Sequence, residues 1–539
     1  MEPASVIGLS FAEEAIVELV EDVARGRVET DLRSLAAKQL IRRTTSEDAS
    51  YRFGHLVIKD TAYGSLLKRV RAALHERFVV WAERVNRERG RENEFEEILG
   101  YHLEQAYRYR TELGVIDDEA RAVGEQAAVK LGNAGRRALA RGDIPAAVGL
   151  LRRSVALLER ESPVRLELMV DLGDAHLQQG AFDDAAAVLD EALAIAQETG
   201  EERYAVRAEI IKVAVDQFRT GGGGGPRRAM DVANRAIEAL GRLGDAAGLA
   251  RAWRLLMLAE GNQGHISEAS AAAARVVEYA AQAGDRRLAS RSAPPIAWFL
   301  LHGPAAGADA VVKCEELLDS TQGDRKVEAV ILSTLAVLRA MEGRFDDARE
   351  LYRRGQAMLA ELGAGIDASS TSIDSSRVER LAGDLAMAEI ELRRDYDALE
   401  AIDESYFRST VAAYLAEVLY LVGDLDHALA YSEVTERIAD AEDVEPQVKW
   451  RMVRARVLAA RGDAGSAVRL ATEGVEIAAG TSDQLLRADA LTDLGDVLIA
   501  AGDLESSGPP LQEALALYEQ KGDVVSSRRL RERPGVVVR

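Results

Sequence analysis

The sequence predicts an all-α protein: an α-solenoid of about ten helical hairpins over residues 111–539, behind a small segment of different make over residues 1–110. Three observations lead there. The chain of 539 residues is rich in Ala, Leu, Glu and Arg and holds only 11 Pro, which favours helix throughout. A Gly-x-x-x-x-Ala pattern recurs at Gly142/Ala147, Gly180/Ala185, Gly224/Ala229, Gly264/Ala269, Gly303/Ala308, Gly343/Ala348, Gly383/Ala388, Gly423/Ala428 and Gly462/Ala467, with Gly502/Ser507 as a tenth copy. Charge is uneven as well: residues 1–110 sum to −1, leaving −21 of the total −22 for the remainder.

The repeat carries most of the information. Successive turn glycines lie 38, 44, 40, 39, 40, 40, 40, 39 and 40 residues apart. One such motif means nothing in an Ala-rich chain, but nine near-equal intervals mark a repeat architecture. A second glycine follows 20 residues later at Gly200, Gly244, Gly284, Gly323, Gly363 and Gly522, and in five of these an acidic residue comes next. Glycine suits the left-handed turn that ends a helix, and a carboxylate suits the start of the next one. Apolar residues recur at helical spacing between these marks, as in Val188, Leu189, Ala192, Leu193 and Ile195. The small residue five places after the turn lets the paired helices approach closely. Gly221–Gly225 before Pro226 reads as a loop, Pro294-Pro295 as the first turn of a helix, Gly363–Ser376 as a loop, and Arg528–Arg539 as a fraying end.

Residues 1–110 lack the repeat. They read as helices near 11–24 and 29–40, then a strand pair, Leu40–Arg43 and Tyr51–Phe53, around the polar turn Thr44–Ser50. A long helix over about 59–90 follows, striped by Leu66, Leu67, Val70, Leu74 and Phe78. Helix, helix, hairpin, helix is the order of a small winged-helix-like unit. Tyr101, Tyr107 and Tyr109 form an aromatic group expected to pack at the junction with the first hairpin.

Two units resemble the tetratricopeptide (TPR) repeat. Leu172-Gly173, His176, Gly180, Ala185, Leu189 and Ala192 hold its signature spacing, as do Leu494-Gly495, Leu498, Gly502, Ser507, Leu511 and Ala514. The period of 40 exceeds the family's usual 34 or so, which implies longer helices. The resemblance covers roughly residues 125–530. A second resemblance rests on Tyr51–Tyr63, Leu66-Leu67, Arg71, Leu74–Arg77 and Gly100–Arg110. These are similar to the segment joining the NTPase module to the TPR array in large bacterial STAND-type ATPases, including those with an N-terminal adenylate/guanylate cyclase domain. It implies a C-terminal part of such a regulator, truncated or working beside a separate ATPase. It also implies that His55, in Phe53-Gly54-His55, senses nucleotide phosphates, although Gly54 departs from the bulkier residue the family carries; the alternative is a half-buried structural His. TPR geometry would place Asp174, Arg254, Arg377, Glu417, Arg456 and Asp496 along the partner-binding groove.

Several chemistries are excluded or disfavoured. No G-x-x-x-x-G-K-[ST] loop, dinucleotide fingerprint, G-x-S-x-G or H-E-x-x-H is present, so no catalytic residue is assigned. The seven His residues form no i, i+4 pair and Cys314 stands alone, so no metal site and no cofactor are expected. Net charge −22 disfavours nucleic acid, and Lys68, Arg69, Arg71 and Arg77 read as a solvated face rather than a DNA contact. No membrane span and no secretory signal are read, and one Cys fits the cytoplasm. The expectation is a non-enzymatic regulatory protein that binds a protein or peptide partner, basic by charge complementarity, or docks an NTPase module or cyclase. The alternative is a sensor of a small-molecule inducer.

Overall fold

The computed structural model describes residues 1–46, 49–91, 94–114, 116–218, 225–362 and 370–533. Gly224, Gly363, most of the Gly221–Gly225 run and Val536–Val538 lie outside them. Two compact units are present: Met1–Gln179 with Ala194–Glu201, and Gly180–Leu193 with the chain from Glu202 onward.

The first unit opens with a three-stranded antiparallel sheet, β1 (Ser10–Phe11), β2 (Ile41–Ser46) and β3 (Ala49–Phe53), in the order β1-β3-β2. Ile41 pairs with Phe53 and Phe11 with Tyr51. Alternation sets the faces: Phe11, Ile41, Tyr51 and Phe53 are buried while Arg42 and Arg52 are exposed. Helices expected to be continuous are broken. The stretch near 11–24 divides into β1, Glu13–Leu19 and Asp22–Arg25, and the helix expected over 59–90 is two, Leu56–Ser65 and Lys68–Glu88. Arginines from a distance satisfy the carbonyls these breaks release. Arg77 Nη2 donates to Glu18 and Val20 O at 2.8 and 3.0 Å, and Arg71 Nη2 to Gly64 O at 2.9 Å. Leu67, expected in the apolar stripe, sits in the second break and is exposed. Glu96–Leu113 runs as one helix through residue 110, and Asp118–Arg141 with Ile144–Ala156 forms the first hairpin.

In the second unit the repeats from Arg325 onward pair a helix buried nearly all round with one buried along a stripe. Tyr406–Leu421 is of the first kind, with every residue from Arg408 to Leu419 buried, and Leu425–Ile438 of the second. Of the described glycines that open the Gly-x-x-x-x-Ala motif, all but Gly303 are left-handed, with φ from +70° at Gly264 to +90° at Gly462. Asp245, Asp285, Asp384, Asp424, Asp463, Asp503 and Asp523 each follow a glycine and cap the next helix by accepting a backbone N–H. The small residue five places on is fully buried at Ala147, Ala185, Ala229, Ala269, Ala348, Ala388, Ala428, Ala467 and Ser507.

The repeat at Gly303 departs from the others. Gly303 has φ −79° and ψ −172°, so it is extended rather than left-handed. A Cβ there would meet Ile266 Cγ2 and Phe299 O at 2.7 Å, so close approach, not the turn, requires glycine. The next helix begins at Gly307, and the register slips by two: Ala308 is exposed and Ala310 takes the buried position. Ala310→Leu should therefore cost about 1–3 kcal/mol by overpacking, and Ala308→Leu under about 0.5 kcal/mol. Local hydrogen exchange over 293–320 in the two variants, side by side, checks the register. Pro294 and Pro295 sit in the first turn of Ala293–His302, as expected. Ser372–Ser376 is the start of the helix Ser372–Ala382 rather than loop.

Helices far apart in sequence meet inside this unit. Ala297, Leu301, Ile331, Leu335 and Val378 share one core with Leu485, Ala488, Val525 and Leu530. The inner helices from Ala293 to Ala500 thus close on themselves with one face of Val524–Arg531, and their facing sides are interior.

Candidate functional site

Closure of those inner helices gathers charge. Arg377 and Arg380 come from Ser372–Ala382, Glu417 from Tyr406–Leu421, Lys449 and Arg456 from Val444–Ala460, and Asp489 and Asp493 from Gln484–Ala500. Glu417 is the hub. Arg380 Nη1 pairs with its Oε2, Lys449 Nζ lies 3.3 Å from the same oxygen, and Arg456 Nη2 lies 4.0 Å from Oε1. Lys449 Nζ also reaches Asp489 Oδ2 at 3.2 Å, Arg377 Nη1 lies 3.7 Å from that oxygen, and Arg456 Nη1 donates to Asp493 Oδ1 at 2.9 Å. Tyr518 donates to Asp489 Oδ1 at 2.7 Å and Tyr414 to Glu445 Oε1 at 2.6 Å. Lys449 stands 4.9 Å over the Tyr414 ring and Arg456 4.7 Å over Tyr420.

Burial and pairing compete at each carboxyl. Burial would raise Glu417, but Arg380, Lys449 and Arg456 outweigh it and hold the group well below the usual carboxylate range. Burial wins at Asp493, which one guanidinium does not rescue, and pushes it up to about 7. Donors exceed acceptors: Nε of Arg377 and Arg380, and Nε and Nη2 of Arg456, are buried without a hydrogen-bond partner.

Of the six expected groove residues, the structure brings Arg377, Glu417 and Arg456 together, but as interior groups rather than an open surface. Arg377 and Arg456 are each 6% exposed. Asp496 pairs with Arg533. Arg254 lies half-buried on Ala246–Asn262, and Asp174, in the first unit, holds Gln178 at 2.9 Å. Sequence reasoning missed Arg380, Lys449, Asp489 and Asp493. Repeat spacing marks one groove position per repeat, whereas a helix buried all round presents several.

His55 is exposed and caps Leu56–Ser65, its Nδ1 accepting from Val57 N at 3.2 Å. It is not half-buried. A Cβ at Gly54 would meet Gln39 O at 2.7 Å, which accounts for glycine before it. His55→Ala removes one exposed cap and should cost no more than about 1 kcal/mol by chemical denaturation.

The tyrosine group expected at the junction divides. Tyr109 is buried and Tyr101 is exposed. Tyr109 belongs to a chain the sequence did not reveal: Arg71 Nη1 lies 3.4 Å from Tyr109 Oη, which is 2.9 Å from Tyr63 Oη, which is 2.9 Å from His75 Nε2, and His75 Nδ1 is 2.8 Å from His102 Nδ1. Both histidines are 1% exposed. Burial, then the neighbouring His102 and Arg108, pushes His75 down to about 2, and burial pushes His102 down to about 4. Of the basic cluster read as a solvated face, Lys68 pairs with Glu112 at 3.0 Å, and Arg71 and Arg77 serve the helix breaks.

Residues 138–210 match the family model of the tetratricopeptide repeat. No curated protein matches the chain. Among solved structures, a hetero-tetramer of Cut9 and Hcn1 from APC/C is 12% identical with a TM-score of 0.46, covering 85% of this chain and 88% of that one. A Signal Transduction ATPase with Numerous Domains with a tetratricopeptide repeat sensor, from Pyrococcus horikoshii, is 12% identical with a TM-score of 0.37, covering 99% of this chain and 65% of that one. Rap protein complexed with Competence and Sporulation Factor is 12% identical with a TM-score of 0.38, covering 68% and 96%. Among the described residues no helix is long and apolar enough to cross a membrane. The chain has an all-α, TPR-like solenoid fold, within which residues 138–210 match the tetratricopeptide repeat.

Proposed function

We propose that the chain is a non-enzymatic regulatory protein acting in the cytoplasm, the sensor arm of a STAND- or cyclase-linked signalling ATPase, with protein partners as its ligands. Residues 1–110 serve as the winged-helix-like dock for an NTPase module or cyclase, and 111–539 as the array that receives the signal. The observation that carries this reading is the interlocked charge network: Glu417 ties together helices from successive repeats. A stack so tied responds as a unit, so a local binding event shifts several repeats at once. His55, exposed at the start of its helix, is the residue offered to a docked nucleotide. Net charge −21 on the array favours a basic partner on its outer surface. Affinity capture of the full chain with cross-linking should recover one protein partner. Measurable ATP turnover by the pure chain would end the non-enzyme reading.

A second reading, a sensor of a small-molecule inducer, is favoured by the closed inner face, which admits small ligands more readily than a peptide. A metabolite retained through purification, with no protein captured, selects it.

A further inference from the structure

The donor accounting of the inner helices does not balance. A buried N–H left without an acceptor costs free energy, and native proteins rarely leave several together. Here five guanidinium nitrogens of Arg377, Arg380 and Arg456 are buried without a hydrogen-bond partner, and of these Arg380 Nη1 lies against Glu417 Oε2 as an ion pair, which leaves four with no carboxylate in hydrogen-bond reach. Their carboxylate neighbours are already engaged: Glu417 by three cations, Asp489 by Lys449 and Tyr518, and Asp493 by Arg456.

We propose that a small oxyanion, phosphate- or sulfate-sized, is received among Arg377, Arg380 and Arg456 beside Glu417. Guanidinium is the group best matched to it, since its planar fork gives two parallel N–H bonds to one oxyanion. Burial sets the size: Arg377 and Lys449 side chains are 7% and 4% exposed, too little for an extended peptide to lie along them. Glu417 acts as the built-in competitor, an internal carboxylate already seated on three of the cations. The negative charge of the whole array slows arrival of an anion but supplies no acceptor to these nitrogens. The inference deepens the small-ligand reading above, and it is indifferent to whether a protein partner also exists.

The test is thermal unfolding and calorimetric titration of the full chain with inorganic phosphate, sulfate and chloride at matched ionic strength, and with hexaglutamate as a size control. Saturable stabilisation by phosphate or sulfate beyond chloride is expected. Arg456→Met should weaken it about tenfold, as for loss of a charge-assisted hydrogen bond. Glu417→Gln, which keeps the side-chain shape, should tighten it severalfold and stands as the second variant if Arg456→Met does not fold. Equal response to all three ions, as expected if ordered water or an adventitious ion only meets the guanidiniums, overturns the proposal. So does binding of hexaglutamate without phosphate. A captured protein partner with no oxyanion response removes this inference and leaves the partner reading standing; oxyanion binding with no partner captured does the reverse.

Discussion

Lys521→Met should destabilise the second unit by roughly 3–5 kcal/mol, the cost of leaving three carbonyls without their charged donor at about 1–3 kcal/mol each, less the relief of no longer burying an ammonium. Lys521 is fully buried, and its Nζ donates to Leu300 O, Gly303 O and Ala305 O at 2.7, 2.8 and 2.7 Å. These oxygens belong to the last turn of Ala293–His302 and the residues just beyond it, where a helix has no acceptor partners of its own. At the other described motif glycines, such as Gly343, Gly383 and Gly423, a left-handed turn finishes the helix. At Gly303 the backbone runs extended, and an ammonium from over 200 residues away does that work instead. Methionine keeps the stem and volume but strips the donor from all three oxygens, of which Gly303 O is buried. The array is not expected to unfold in a single step, so the measurement is local hydrogen exchange. Amides of 293–320 and 504–531 should exchange faster, while those of 56–113 stay unchanged. A change under about 1 kcal/mol would mean that water replaces the ammonium without loss.

The same contact shows where sequence reasoning holds and where it stops. Hairpin boundaries were legible because each turn is a local event: a left-handed glycine, a capping aspartate and an alanine five places on all fall within one short window. Gly343 with Ala348 and Gly423 with Asp424 and Ala428 follow that rule. Gly303 keeps the spacing and breaks the rule, because its position is decided by Ile266, Phe299 and Lys521, none of which the motif contains. The breaks after Leu19 and Ser65 were invisible for a related reason. They depend on Arg77 and Arg71 reaching back to carbonyls that a continuous helix would have used. At the charge cluster, one position per repeat was readable from helix geometry. That these positions would meet across the coil, and carry Lys449 and Asp489 with them, follows from superhelical closure, which no local pattern encodes.

Acid should open the first unit selectively, and the histidine pair sets the window. In water both rings titrate near 6.5. In the folded unit burial pushes His102 down to about 4 and His75 down to about 2. Above pH 6.5 both are neutral whether folded or not, and their contribution is fully present. Below it the unfolded chain takes up protons that the folded unit refuses, so stability falls as pH falls, until about 4 for His102 and about 2 for His75. Each group costs about 1.4 kcal/mol per pH unit in that range. Going from pH 7.5 to 5.5 should thus cost about 2.7 kcal/mol, roughly a 100-fold rise in local opening of Lys68–Glu88 and Glu96–Leu113 once intrinsic exchange is corrected for. The Nδ1···Nδ1 bond holds one proton, so the two rings cannot both be charged. With His75 Nδ1 donating to His102 Nδ1, His75 Nε2 accepts from Tyr63, which accepts from Tyr109, itself facing the Arg71 guanidinium. A proton on His102 Nδ1 would set two N–H groups against each other 2.8 Å apart. His102→Gln keeps an acceptor and removes one titration, so the same pH step should then raise opening only about tenfold. An undiminished 100-fold response in that variant would assign the acid sensitivity to the carboxylates and not to this pair.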